Sequence, residues 1–142
     1  NKFAFPLDAI VETTYNHKPN VRNINQIETN DVIKDIGIKT IAKYSAIINN
    51  SKTIFINGTV GVYEETAFKN GSVEIYEALK KCSGKVILGG GDTISALNIL
   101  GYKNDFKYIS SGGGATLEYI AKGSLPGIDA ISDGDNIEIL DL

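Results

Sequence analysis

The chain has 142 residues, 42% hydrophobic and 22% charged, as expected of one globular domain with a sizeable core, or a piece of one. A net charge of −3 argues against the broad basic face needed for nucleic acid or an anionic membrane, and no run approaches the ~18 apolar residues of a membrane span. The single cysteine, Cys82, excludes an intrachain disulfide and fits a reducing, cytoplasmic compartment.

Lys2 to Glu12 carries Phe3, Phe5, Leu7, Ile10 and Val11 around Pro6. It reads as a strand or two short extended pieces, with the proline at an edge or break. Residues 13–29 are polar and aperiodic, mostly loop with a short strand near Val21 to Ile27. His17 lies there, a solvated loop histidine without a second metal ligand nearby. The second half of Asn30 to Asn50 reads as helix, with Ile41, Tyr44 and Ile48 on one face and Asp35-Ile36-Gly37 as the break before it. Gly37 is either a turn residue or a place where backbone is offered to a ligand.

Thr53 to Ile56 is an apolar strand ended by Asn57-Gly58, and a glycine-bearing loop runs on to Glu64. Ile75, Leu79 and Cys82 mark a helix through about Lys81 that Gly84 ends, a spacing that reads Cys82 as a buried, inert thiol. Lys85 to Leu88 is a buried strand and Gly89 to Gly91 a tight turn. The helix after it shows Ile94, Leu97 and Leu100 on one side, with Gly101 placed to stop it. Phe106 to Ser110 is a further strand, and Ser111 to Thr116 repeats the glycine turn. A helix with Leu117, Ile120 and Ala121 ends at Gly123, and Leu125-Pro126-Gly127-Ile128 turns the chain away. The tail, Ser132 to Leu142, is a short strand or a flexible end.

Strands alternating with helices predict an α/β fold, a Rossmann-like parallel sheet flanked by helices, with the loops Asn57–Glu64, Gly89–Thr93 and Ser111–Gly114 along one rim. Glycines before a helix leave backbone N–H groups uncovered, and the helix dipole adds ~0.3–1 kcal/mol for an anion there. Asp92 sharpens this. A carboxylate repels a phosphate by ~1–4 kcal/mol at ~4 Å unless a divalent cation lies between them. Gly89-Gly90-Gly91-Asp92-Thr93 thus suits a metal–polyphosphate, and equally a helix capped by Asp92 after a tight turn. Neither the G-x-G-x-x-G fingerprint nor the P-loop pattern is present.

The motifs in order resemble phosphoglycerate kinase, specifically the last third of that two-domain enzyme. The resemblance begins at Phe5-Pro6-Leu7-Asp8 and continues through Asp35-Ile36-Gly37-Ile38-Lys39-Thr40, then Asn57-Gly58 with Gly61-Val62-Tyr63-Glu64. Gly89-Gly90-Gly91-Asp92-Thr93 follows, then Ile109 to Glu118 and Leu125-Pro126-Gly127-Ile128. It implies phosphoryl transfer between 1,3-bisphosphoglycerate and ADP, giving ATP and 3-phosphoglycerate in glycolysis, with Mg2+. By resemblance Gly90, Gly91, Asp92 and Thr93 form the nucleotide-phosphate turn, with Asp92 on the metal. Glu64 receives the ribose hydroxyls, Gly37 contacts the nucleotide through its backbone, and Asn57 is a phosphate-side residue. Gly113 and Gly114 steady the phosphoryl group in flight. Without the resemblance, Glu64 is an exposed loop carboxylate beside a similar Glu65.

Two departures stand out. Ile56-Asn57-Gly58-Thr59 replaces the family's usual Trp-Asn-Gly-Pro. The family's basic N-terminal domain, which holds phosphoglycerate, and the first part of the nucleotide domain with its phosphate-binding lysine are also missing. Residues 1–142 are therefore expected to be the C-terminal portion of the nucleotide-binding domain of a monomeric parent. Alone they should lack turnover, bind nucleotide weakly at best, and risk self-association through an uncovered strand edge. The competing expectation is a non-catalytic nucleotide-binding or interaction module.

Overall fold

The computed structural model describes residues 2–14 and 17–132. Two three-stranded sheets share the chain. In the first, β1 (Asp8–Thr13) is central, flanked antiparallel by β2 (Pro19–Asn23) and β3 (Asp31–Ile36), in the order β2-β1-β3. In the second, β4 (Thr53–Asn57), β5 (Lys85–Gly89) and β6 (Tyr108–Ser110) run parallel in that order. The helices are α1 (Ile38–Asn49), α2 (Asn70–Lys81), α3 (Gly91–Leu100), α4 (Gly113–Lys122) and α5 (Pro126–Ser132).

The parallel sheet flanked by helices is the architecture that the strand–helix alternation predicts. The antiparallel sheet is an addition. Polar Pro19–Asn23, expected to be mostly loop, is a strand because β1 supplies a partner along its whole length, Asp8 opposite Asn23 through Glu12 opposite Pro19. Pro19 opens that edge strand, where a missing N–H costs no central ladder bond. The stretch before α1 likewise extends as β3 on the other side of β1. Leu125–Ile128 does more than turn: Pro126 begins α5, its fixed φ suiting a first helical position. The tail beyond Ser132 lies outside the described residues.

The core lies where α1, α2 and α3 meet β5. Ile48, Ile75, Leu79, Leu88, Ala96 and Leu97 are buried there, Leu88, Ala96 and Leu97 completely. Gly101 and Gly123 stop α3 and α4 in the left-handed conformation (φ +83° and +79°), as their positions predict. Cys82 lies just past the end of α2 and is half-buried, not buried, with its Sγ 3.8 Å from the Gly84 carbonyl. His17 is exposed and lies 3.5 Å from Glu12. No helix among the described residues is long and apolar enough to cross a membrane.

Candidate functional site

The parallel register sets the site. Asn57 on β4 stands opposite Gly89 on β5, and Gly89 stands opposite Ser110 on β6. Three strands thus end on one line, and each is followed by one of the three expected loops. The turns also touch. A Cβ on Gly90 would lie 2.6 Å from the Asn57 Oδ1, and one on Gly113 would lie 3.4 Å from the Gly90 Cα. Gly90 adopts φ +98°, a region that side chains disfavour, so glycine is required there twice over.

Two helices begin at this rim. α3 starts at Gly91, three residues earlier than the apolar spacing suggests, so Gly91, Asp92 and Thr93 form its first turn. Neither Gly90 at the cap of α3 nor Gly112 at the cap of α4 contributes a side-chain cap, and the first amides of both helices have no partner within their own helix. Asp92 is exposed. Gly91 and Gly114 have open space where a Cβ would stand. Thr93 is the exception. It is completely buried, its hydroxyl accepting the Gly58 N–H at 2.7 Å and lying 3.2 Å from the Gly58 carbonyl. It ties the β4 loop to α3 and is held away from solvent.

The connection from β4 to α2 carries Glu64 and is fastened from β3. The Val62 amide donates to the Lys34 carbonyl at 2.9 Å. The Lys34 ammonium bridges Glu12 at 2.7 Å and Glu65 at 2.8 Å. Those contacts separate two adjacent acids that sequence alone leaves equivalent. Glu65 is an anchor, whereas Glu64 is exposed beside the Tyr63 hydroxyl. Burial pushes the Tyr63 phenol up, and the carboxylates of Glu64 and Asp92 push it further, against a hydrogen bond from Ser95. Glu64 and Asp92 therefore act on the same phenol from two different turns.

Gly37 is buried, and its backbone polar groups are engaged within the fold. Its N–H donates to the Asp8 carbonyl at 3.1 Å and its carbonyl accepts the Ile41 N–H at 2.9 Å. It is glycine because a Cβ would lie 2.3 Å from the Asp8 Cγ. Gly37 is buried against that carboxylate, and none of the contacts that join the three turns includes it.

Two buried acids went unread in the sequence. Asp8 caps α1, receiving the Lys39 and Thr40 amides at 3.1 and 2.8 Å with the Thr40 hydroxyl 2.7 Å away. Burial opposes its ionisation, but the Thr40 and Lys39 hydrogen bonds outweigh that and hold the carboxyl below its ordinary value. Asp35 receives the Gly71 and Ile36 amides, yet burial dominates and its carboxyl lies above its ordinary value. Both acids sit within the motifs quoted above. Their burial is the new information.

Among the described residues no group of three or more His, Cys, Asp or Glu could enclose a metal ion. Asp92 offers one outward carboxylate beside open Gly91. That fits Mg2+ of the kind held by one carboxylate and the phosphate oxygens of a substrate.

A family model described as phosphoglycerate kinase matches residues 1–123. The phosphoglycerate kinase of Buchnera aphidicola subsp. Schizaphis graminum is 38% identical over 135 residues, covering 94% of this chain and 35% of that protein. That of Orientia tsutsugamushi (strain Boryong) is 40% identical over 137 residues, covering 92% and 34%. The structure of phosphoglycerate kinase from Coxiella burnetii superposes with a TM-score of 0.81 at 35% identity, covering 92% of this chain and 34% of that one. The chain spans about a third of the length of the curated relatives it matches.

Proposed function

This chain belongs to the phosphoglycerate kinase family, and from that premise we propose that it is the C-terminal portion of the nucleotide-binding domain of a cytoplasmic glycolytic kinase. The reaction is phosphoryl transfer between 1,3-bisphosphoglycerate and ADP, giving 3-phosphoglycerate and ATP. The observation that carries this reading is the single line Asn57–Gly89–Ser110, with two uncapped helix starts side by side and Asp92 facing outward.

In phosphoryl transfer the charge spreads over three equatorial oxygens, and fixed N–H donors do much of the catalytic work. The amides at the start of α3, in the Gly90–Thr93 turn, bind the nucleotide phosphates. Thr93 acts from inside by holding Gly58, and with it Asn57, against that turn. The amides of Gly113 and Gly114, at the start of α4, steady the phosphoryl group between donor and acceptor, and Gly113 packs against Gly90. Glu64 takes the ribose hydroxyls, and the Gly37 backbone contacts the nucleotide. Asp92 would hold Mg2+, which supplies positive charge to offset that of the phosphates.

The phosphoglycerate is held by residues outside these 142, so the chain alone carries nucleotide without turning it over. An assay of the purified chain with 3-phosphoglycerate and Mg-ATP tests that part. Turnover above background contradicts it.

A further inference from the structure

The strap leaving β4 arches over a small cavity against α2. Gly58, Thr59 and Val60 of the strap line it on one side and Ser72, Ile75 and Tyr76 of α2 on the other, with Ile56 of β4. The space open to the centre of a water-sized sphere is about 20 Å3, above the ~10–15 Å3 that one water needs.

Ser72 and Tyr76 are 1% and 2% exposed, and neither hydroxyl has a hydrogen-bond partner in the protein. Four residues apart on α2, they face the same side. Buried hydroxyls are almost always answered by a partner, either protein or ordered water. Purely apolar cavities stay dry, but this one is lined by residues that carry two unanswered buried hydroxyls, with Thr59 also at its wall. We propose that this cavity is a binding site for one structural water, which receives the Tyr76 O–H, bonds the Ser72 hydroxyl and reaches the strap at Thr59.

The volume excludes anything much larger, and no carboxylate lines the cavity to favour a cation. Burial pushes the Tyr76 phenol up to about 12, so at neutral pH it keeps the proton that it donates. The Ser72 and Tyr76 hydroxyls alone supply the minimum of about two partners that a buried water needs. The consequence is a strap held on both sides, by Thr93 of α3 through Gly58 and by α2 through the water. Asn57, at the head of this strap, is then seated from below as well as from beside. The water's presence is independent of the nucleotide reading, so either can fail without the other.

The test is a high-resolution crystal structure of the full chain and of the double variant Ser72→Ala/Tyr76→Phe, paired with water-oxygen NMR relaxation that counts long-lived internal waters. The expected result is density within hydrogen-bond distance of both hydroxyls in the wild type, and one long-lived water fewer in the variant. An empty cavity, hydroxyls turned onto protein groups instead, or an unchanged water count overturns the proposal.

Discussion

The Asp35 carboxylate receives the Gly71 amide at 2.7 Å, joining the end of β3 to the first turn of α2. Its other oxygen receives the Ile36 amide at 2.8 Å. A Cβ on Gly61 would stand 2.4 Å from that oxygen. One buried acid thus fixes two points of the connection that carries Glu64. Asp35→Ala leaves the Gly71 amide at a helix start without its partner, and should cost ~1–3 kcal/mol. Urea unfolding should show a lower midpoint with an unchanged slope.

Asp8 and Asp35 should pull the stability profile in opposite directions below neutral pH. Asp8 is more acidic folded than its ordinary 3.8, so its contribution is present above that value and lost as pH falls through its lowered folded value. Asp35 is less acidic folded, so its contribution is present below 3.8 and lost as pH rises through its raised value. Carbon-detected NMR titration should place the two carboxyl midpoints on either side of 3.8, Asp8 the lower. The reverse order contradicts the hydrogen-bonding account.

Adjacent glycines make a paired test of the first turn. Gly90→Ala must accommodate a Cβ 2.6 Å from the Asn57 Oδ1 at φ +98°, and should destabilise by ~1–3 kcal/mol. Gly91→Ala meets open space within a helix and should be neutral or stabilising by up to ~1 kcal/mol. Equal losses in chemical denaturation would show that the turn is not built on that approach.

Much of this site was legible, but unevenly. Gly101 and Gly123 announced the ends of α3 and α4, and the repeated glycine turns announced the rim, because glycine at a strand end followed by apolar helical spacing has few other uses. Of the antiparallel sheet, a strand before Glu12 and a short one near Val21 were legible, but not their pairing or β3. Pro19–Asn23 is a strand through its pairing with β1, and no local propensity records a partner distant in sequence. Apart from the resemblance, Glu64 and Glu65 are equivalent on paper, and the position of Lys34 distinguishes them. Gly37 reads as a turn or backbone-contact residue, and the sequence does not show that the Asp8 carboxylate behind it requires glycine there.

Thr93 gives a prediction that separates holding the rim from touching a ligand. Thr93→Val keeps the shape but leaves the Gly58 N–H without its acceptor, and should cost ~1–3 kcal/mol. Thr93→Ser keeps the hydroxyl and should recover most of that loss. Thermal unfolding of both variants checks it, and a loss in Thr93→Ser as large as that in Thr93→Val would contradict the assignment to the hydroxyl.

The most direct measurement is a titration of the chain with ADP, with and without Mg2+, followed by amide NMR shifts in wild type and in Asp92→Ala. Asp92 is exposed, so its removal should leave stability within ~0.5 kcal/mol. The wild type should show Mg2+-dependent shifts grouped at Asn57–Gly58, Gly90–Thr93 and Gly112–Gly114, with affinity falling about tenfold or more in Asp92→Ala, the loss of one charge-assisted contact. Equal binding by the two proteins, or shifts scattered away from those three turns, would contradict a metal-bound nucleotide on this rim.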